Sequence, residues 1–195
     1  MTGRSGTGKT TYWIRYLLGT KAACKFVFDH EGELAFKLRA KPARSSEELA
    51  EAVDTGWCIF DPAVLFPGRT QEGFDFFCDF CFQAATRRPG RKIFACDELQ
   101  KLVVTTGISL ELSTILETGR RYGLDAAMIS QQPNLLHNRI RNQLTEVVTF
   151  SQIDPCAVDW LQSAGFNPDA VRVLRPGEFI ARNLNSAQES TGRVF

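Results

Sequence analysis

Residues 3–10 have the sequence GRSGTGKT, and this stretch decides the fold. It fits the pattern G-x-x-x-x-G-K-[ST] of a P-loop, which cradles the phosphates of a nucleotide. Glycines let consecutive backbone N–H groups turn inward around an anion, where a Cβ atom would obstruct them. The alternative is a glycine-rich turn that matches by chance. Residues 11–18 are predicted to be helical, so the positive end of the helix dipole would face the phosphates.

The motif assigns roles to individual side chains around the nucleotide. Lys9 can reach the β- and γ-phosphates, and the hydroxyl of Thr10 is placed to bind Mg²⁺. The predicted nucleotide-binding residues are Gly3, Arg4, Ser5, Gly6, Thr7, Gly8, Lys9, Thr10 and Thr11. A strand normally precedes a P-loop, yet only Met1 and Thr2 stand before Gly3. We therefore expect either that the first strand is missing or that the sheet is built without it.

Length and composition indicate a single compact α/β domain over residues 1–195. The net charge is only +1, so no overall positive field indicates a nucleic-acid partner, and DNA binding would require local basic patches. The sequence shows no signal peptide and no run of about 18 apolar residues. We expect the protein to work in a reducing cytoplasm.

The six cysteines are scattered along the chain, and several lie in apolar runs. This distribution predicts buried free thiols rather than a disulfide framework. Cys78 and Cys81 form a C-x-x-C pair, but no second pair and no redox-type βαβ context accompanies them. We interpret them as two positions on one face of a helix.

A second chemical motif is IFACDE at residues 93–98. Four apolar residues followed by two acids predict a buried parallel strand that delivers Asp97 and Glu98 at its carboxyl end, where ligand sites of open α/β sheets lie. Asp97 is expected to support the Mg²⁺ shell through water, and Glu98 to polarise the water that attacks the γ-phosphate. The pattern is common in isolation. It indicates a nucleotide site here because a P-loop precedes it in the chain.

Residues 125–133 are predicted to form a strand that ends in polar side chains, among them Gln131. An amide there can sense the γ-phosphate and orient water. An equally good interpretation is an amide that caps the turn before Pro133.

The remaining pattern alternates helices and strands. Helices are predicted at 45–52, 72–88, 110–118 and 154–163, and strands at 23–29, 57–62, 147–150 and 178–183, with an antiparallel partner at 191–195. The helix at 72–88 is rich in phenylalanine, which favours packing against a sheet over a base-stacking platform with exposed rings.

Residues 117–133 (ETGRRYGLDAAMISQQP) resemble the FtsK–HerA superfamily of DNA-pumping ATPases. In that superfamily a helix ends in a GR-aromatic-G turn, and the next strand leads to an SQ-x-P signature. Residues 141–148 resemble its Asn-containing segment, and residues 174–179 (LRPGEF) resemble its closing L-x-x-G-E motif. The ordered set covers nearly the whole chain. The short chain looks most like the minimal genome-packaging ATPases of membrane-containing icosahedral viruses, which are thought to push double-stranded DNA into a preformed capsid.

The resemblance implies a RecA-like α/β fold with a mostly parallel central sheet, helices on both faces and an antiparallel C-terminal edge. It implies ATP and Mg²⁺ as cofactors. Lys9 and Thr10 would bind phosphate and metal, Asp97 would support the metal, and Glu98 would activate water. Gln131 looks like the polar sensor of the family.

The same resemblance implies an arginine supplied in trans by a neighbouring subunit, with Arg120 and Arg121 as candidates and Arg139 and Arg141 in reserve. Such an arginine stabilises charge on the transferring phosphoryl group and makes hydrolysis depend on assembly.

The partners implied are double-stranded DNA, bound without sequence specificity, and further copies of the chain in a ring, for which a hexamer is expected. The expected location is the host cytoplasm, with association to a packaging vertex of the virion through a capsid or viral membrane protein. Two other hypotheses remain open. One is a phage-assembly or secretion ATPase that moves protein, and the other is a nucleotide switch that does not hydrolyse ATP.

Overall fold

The computed structural model describes residues 1–103 and 107–195, in which helices and strands alternate along most of the chain. The α-helices are α1 (Lys9–Gly19), α2 (Leu34–Leu38), α3 (Ser46–Asp54), α4 (Thr70–Arg87), α5 (Leu110–Thr118), α6 (Asn138–Asn142), α7 (Pro155–Ser163) and α8 (Pro168–Val173). The strands are β1 (Cys24–Phe28), β2 (Pro42–Ala43), β3 (Trp57–Phe60), β4 (Lys92–Cys96), β5 (Leu124–Met128), β6 (Glu146–Thr149), β7 (Glu178–Asn183) and β8 (Glu189–Arg193). Short 3₁₀ turns lie at Leu99–Lys101, Gly119–Tyr122 and Pro133–Leu135.

These residues fall into two compact units, which are described separately. The first comprises residues 1–15, 98–103 and 129–195, and the second comprises residues 16–97 and 107–128. None of the helices among the described residues combines the length and the apolar character needed to cross a bilayer.

The second unit is built on a parallel sheet of five strands in the order β2-β3-β1-β4-β5. Every residue of β1 and β4 is buried, as expected for central strands of a parallel sheet. This confirms the predicted fold class and the strands predicted at 23–29, 57–62 and 93–98. The two-residue strand β2 carries no sequence signal and was not predicted.

Phenylalanines of α4 form the core on this sheet. Phe74 and Phe77 are fully buried, with ring centroids 5.1 Å from Phe28 of β1 and 5.3 Å from Phe60 of β3, respectively. The other phenylalanines of α4 are half-buried. Core packing is therefore confirmed for this helix, because a base-stacking platform would need exposed rings.

The first unit contains the antiparallel sheet β6-β7-β8. The predicted antiparallel C-terminal strand is confirmed, and it forms part of a separate three-stranded sheet. Its apolar core combines Val147 and Ile180 of the sheet with Leu161 of α7, Val171 of α8 and Phe166 between these helices.

All six cysteines are free, and only Cys156 is exposed. Burial raises the pKa of the Cys24 thiol to about 12 and raises the pKa values of the other four buried thiols as well. Cys78 and Cys81 lie buried on α4, as the sequence predicted.

We expect a single thiol of the native chain to react rapidly with a disulfide reagent such as DTNB near neutral pH, because only a thiolate attacks and the buried groups remain protonated. Absorbance of the released thiolate measures the number of reacting groups. Cys156→Ser should remove the rapid phase, and denaturant should expose the remaining cysteines. A rapid phase that survives in Cys156→Ser would contradict this burial.

Candidate active site

The P-loop of residues 3–10 lies in the first unit, directly before and at the start of α1. The carbonyl oxygen of Arg4 accepts hydrogen bonds from Thr7 Oγ1 and from Lys9 Nζ, both at 2.8 Å, which closes the loop on itself. Gly3 has φ 144°, and a Cβ atom there would lie 2.7 Å from Cβ of Phe150. The close approach of Phe150 and the left-handed backbone together explain why this position is glycine.

The closing L-x-x-G-E motif supports the loop from the C-terminal part of the chain. The N–H of Gly177 donates to the carbonyl oxygen of Thr7 at 3.0 Å, and the carbonyl oxygen of Gly177 accepts from Val194 N at 2.9 Å. Gly177 has φ 86°, and a Cβ atom there would lie 2.9 Å from the ring of Phe195. A motif that the sequence analysis used only for the family resemblance is thus a direct structural contact of the phosphate loop.

Thr2 takes the position in front of the P-loop where a strand is normally found. It forms isolated parallel bridges with Ser130 on one side and Thr149 on the other. Its N–H donates to Val148 O at 2.8 Å, and its carbonyl oxygen accepts from Phe150 N at 2.9 Å. The carbonyl oxygen of Met1 also accepts from Ser130 N at 2.9 Å, so a short paired segment stands where the first strand normally lies.

Glu98 follows β4 with φ 48° and ψ 44°, a left-handed conformation. This backbone costs a residue with a Cβ atom about 1–2 kcal/mol, and such strain is concentrated at functional sites. The side chain is held on both oxygens. Oε1 accepts a hydrogen bond of 2.6 Å from Nε2 of Gln131, and Oε2 forms an ion pair with Lys101.

Gln131 is held at its backbone as well as at its side chain. Its N–H donates to Oε1 of Gln100 at 3.2 Å, and its carbonyl oxygen accepts from Nε2 of Gln152 at 2.9 Å. The side chain of Gln131 therefore bonds Glu98, while its role as a polar sensor stays a prediction. The sequence predicted that each side chain follows a strand, and it could not predict their hydrogen bond.

A cavity of about 370 Å³ joins the P-loop to this pair. All of its lining residues except Ile153 carry polar or charged side chains, and they are Arg4, Ser5, Glu98, Gln100, Lys101, Gln131, Gln132, Gln152, Ile153 and Asp154. A polar cavity beside a glycine-rich loop and a helix N-terminus suits a strongly anionic ligand whose terminal group meets a carboxylate and an amide.

The other predicted residues are placed as follows. Thr10 is half-buried and Thr11 is exposed in the first turn of α1, and Asp97 stands between β4 and Glu98. Arg120 and Arg121 are exposed in the 3₁₀ turn Gly119–Tyr122 of the second unit. The roles of these residues stay predictions.

The sequence analysis missed Gln100, Lys101 and Gln152, which hold the predicted pair. A signal for Gln152 was available. It follows β6 as Gln131 follows β5, and polar residues after strands are candidates for ligand sites.

Comparison with solved structures finds several proteins that share this fold. The genome packaging NTPase B204 of Sulfolobus turreted icosahedral virus 2, in complex with sulfate, matches with a TM-score of 0.74 and 17% identity over 98% of this chain and 93% of that chain. The same NTPase in complex with ATP-gammaS matches with a TM-score of 0.71 and 18% identity over 100% and 95% of the two chains. The chain shares the fold of B204.

This chain also matches less than half of the length of two longer chains. The plasmid coupling protein TrwB matches with a TM-score of 0.57 and 17% identity over 77% of this chain and 43% of that chain. EssC, ATPases 2 and 3, from Geobacillus thermodenitrificans matches with a TM-score of 0.63 and 14% identity over 97% and 38%. No protein-family model matches the sequence, and no curated protein matches it.

Proposed function

We propose that the chain is an ATPase of the FtsK–HerA type that uses Mg²⁺ and ATP. The observation that carries the proposal is the 2.6 Å hydrogen bond between Gln131 and Glu98 in a cavity that Arg4 and Ser5 of the P-loop also line. A phosphate loop alone would suit any nucleotide-binding protein. A carboxylate and an amide beside it supply what hydrolysis requires, a base and a group that orients water. The complexes of B204 with AMPPCP and ATP-gammaS support a nucleoside triphosphate as the ligand.

The P-loop residues would hold the triphosphate in this mechanism. Positive φ angles at Gly3, Gly6 and Gly8 turn the loop, so that its N–H groups and those of the first turn of α1 can face the phosphates. Lys9 adds a positive charge. Its ammonium group is already tied to the Arg4 carbonyl, which keeps the charge at the loop.

The oxygen donors of this chain fit Mg²⁺, which prefers hydroxyl, carboxylate and water ligands. Thr10 lies in the first turn of α1, and Asp97 follows β4 directly. Thr10 would bind the ion, and Asp97 would support its shell through water. When bound, the ion neutralises charge on the phosphate oxygens.

Glu98 would take a proton from the attacking water, while Gln131 orients that water against the γ-phosphate. The hydrogen bond from Gln131 and the ion pair with Lys101 leave the carboxylate little rotational freedom, so the base is already oriented before substrate binds.

We propose that the energy of ATP hydrolysis drives translocation of double-stranded DNA. B204 is a genome packaging NTPase and TrwB is a plasmid coupling protein, which supports DNA as the substrate of this fold. We propose a homo-oligomeric ring, a hexamer, that contacts DNA phosphates without reading sequence, with Arg120 or Arg121 acting in trans. Packaging of a viral genome in the host cytoplasm, at a capsid vertex or a viral membrane protein, is the specific form of this proposal.

The test is ATP turnover measured against protein concentration, with and without duplex DNA, at low and high salt. We expect the turnover per chain to rise with protein concentration, because an arginine in trans requires assembly. We expect DNA to stimulate turnover at low salt and the stimulation to fade at high salt, because phosphate contacts release counterions.

Each alternative gives a different result. Turnover that DNA leaves unchanged at low salt would contradict the DNA motor and favour a motor that moves protein. ATP binding without hydrolysis in a single-turnover assay would contradict the enzyme and favour a nucleotide switch. Turnover per chain that is independent of concentration would contradict the arginine in trans.

A further inference from the structure

Gln152 is a buried amide that the mechanism above does not use. It follows β6 and is only 2% exposed. Its Nε2 atom donates two hydrogen bonds, one to the carbonyl oxygen of Gln131 at 2.9 Å and one to Oγ1 of Thr2 at 3.1 Å. Both N–H groups of the amide are therefore engaged, and they point to two different segments of the first unit.

The two acceptors belong to the two halves of the candidate site. Thr2 immediately precedes Gly3, the first residue of the P-loop. Gln131 donates from its side chain to Glu98, and its own N–H is bound by Gln100. The N–H groups of a planar amide diverge at a set angle, so Gln152 specifies the separation between the start of the phosphate loop and the backbone of Gln131.

The amide joins two segments through hydrogen bonds that an apolar side chain could not make. A buried amide is costly unless its hydrogen bonds are made, and here both donors find acceptors. The Thr2 backbone is already held by Val148 and Phe150, so the bond from Gln152 is not needed to keep this segment in place. The start of the loop is also bridged to Ser130 by the backbone, and the amide adds a side-chain link to the carbonyl oxygen of Gln131 itself.

We propose that Gln152 is a positioning residue for ATP hydrolysis, which sets the distance between the P-loop and the hydrogen-bonded pair of Gln131 and Glu98. The proposal rests on the function proposed above. Because the P-loop and Lys9 supply the binding of the phosphates, a misplaced Gln131 should affect the transition state more than the bound substrate. The expected signature is a loss in kcat with little change in KM.

The test uses Gln152→Met, which keeps the length of the side chain and removes both donors. We expect kcat for ATP to fall about 10- to 100-fold, as for a displacement of about 1 Å at a reacting group, while KM changes less than about twofold. The matched control is Gln162→Met on the exposed part of α7, which should keep the kcat of the unmodified chain. A kcat of Gln152→Met equal to that of the control would overturn the proposal, as would a rise in KM alone.

A second measurement separates positioning from general loss of structure. In a Gln131→Met background, Gln152→Met should lower kcat by less than about threefold, because the group it positions is already absent. Equal losses in both backgrounds would indicate independent structural damage and would overturn the proposal.

A smaller change covers the case in which Gln152→Met does not fold, as judged by circular dichroism. Thr2→Val removes one of the two acceptors and leaves the backbone bonds of Thr2 in place. It should lower kcat at constant KM, and an unchanged kcat would overturn the proposal. If the unmodified chain hydrolyses no ATP, the proposed function fails together with this inference. If it hydrolyses ATP and the Gln152 variant does so equally well, only this inference fails.

Discussion

The Glu98→Gln protein is expected to bind ATP as well as the unmodified chain and to hydrolyse it about 10²- to 10⁴-fold more slowly, the range for loss of a general base. The substitution removes the proton acceptor and little else. Glutamine retains one oxygen that can accept the hydrogen bond from Gln131, and it has the same backbone preference in the left-handed conformation of residue 98. The ion pair with Lys101 is lost, but that lysine is half-exposed and can be solvated.

Two measurements check this prediction on the same samples. Titration with a fluorescent ATP analogue gives the affinity, and release of inorganic phosphate gives the turnover. Glu72→Gln is the matched control, because Glu72 is an exposed residue of α4 that pairs with the exposed Arg69. Turnover of Glu98→Gln within about threefold of the control would contradict the base assignment, since a general base contributes at least about 10²-fold.

The strong local patterns of the sequence were sufficient to predict the parallel sheet. Continuous apolar runs predicted β1, β3 and β4, because central parallel strands are buried on both faces. Serine caps were equally informative. Serine is a preferred N-cap residue, and Ser109 accepts from the N–H of Leu112 at the start of α5, while Ser45 accepts from the N–H of Glu48 at the start of α3.

Features that depend on distant partners could not be predicted. Lys92 is a charged residue that is 1% exposed within β4, and its ammonium group donates to the carbonyl oxygen of Ala85 at 3.1 Å near the end of α4. Nothing in the sequence around residue 92 indicates that the last turn of a helix supplies an acceptor for its ammonium group. The strand β8 begins at Glu189 and not at Thr191, because its extent is set by its register with β7.

The candidate site likewise combines residues that local patterns predict with long-range contacts that they do not predict. The P-loop, Glu98 and Gln131 belong to patterns of adjacent residues, so each could be predicted, and the parallel order of β4 and β5 makes it reasonable that they meet. The links between them are long-range. Gln152 contacts a residue at the start of the chain, and no pattern within one segment reveals such a pairing.

Lys9→Met is expected to lower kcat for ATP by about 10²- to 10³-fold, the effect of removing one preorganised group that stabilises charge in a transition state. Affinity for ATP should fall about 10- to 100-fold, because a hydrogen bond to a charged group contributes about 1.5–3 kcal/mol. Lys9 is 7% exposed, and methionine fills the space of its stem without carrying the charge. Lys37→Met, on the exposed face of α2, is the matched control.

The informative comparison is between ATP and AMP in the same Lys9→Met protein. Lys9 also donates to the carbonyl oxygen of Arg4, so its loss has two possible consequences, removal of a charge and relaxation of the loop. AMP lacks the β- and γ-phosphates that the charge would contact. Its affinity would nevertheless fall if the loss of Lys9 disordered the loop. If the charge is what matters, calorimetric titration will give a reduced affinity for ATP and an unchanged affinity for AMP. Equal losses for both ligands would mean that Lys9 acts by closing the loop on Arg4, and the assignment of its ammonium group to the β- and γ-phosphates would then be wrong.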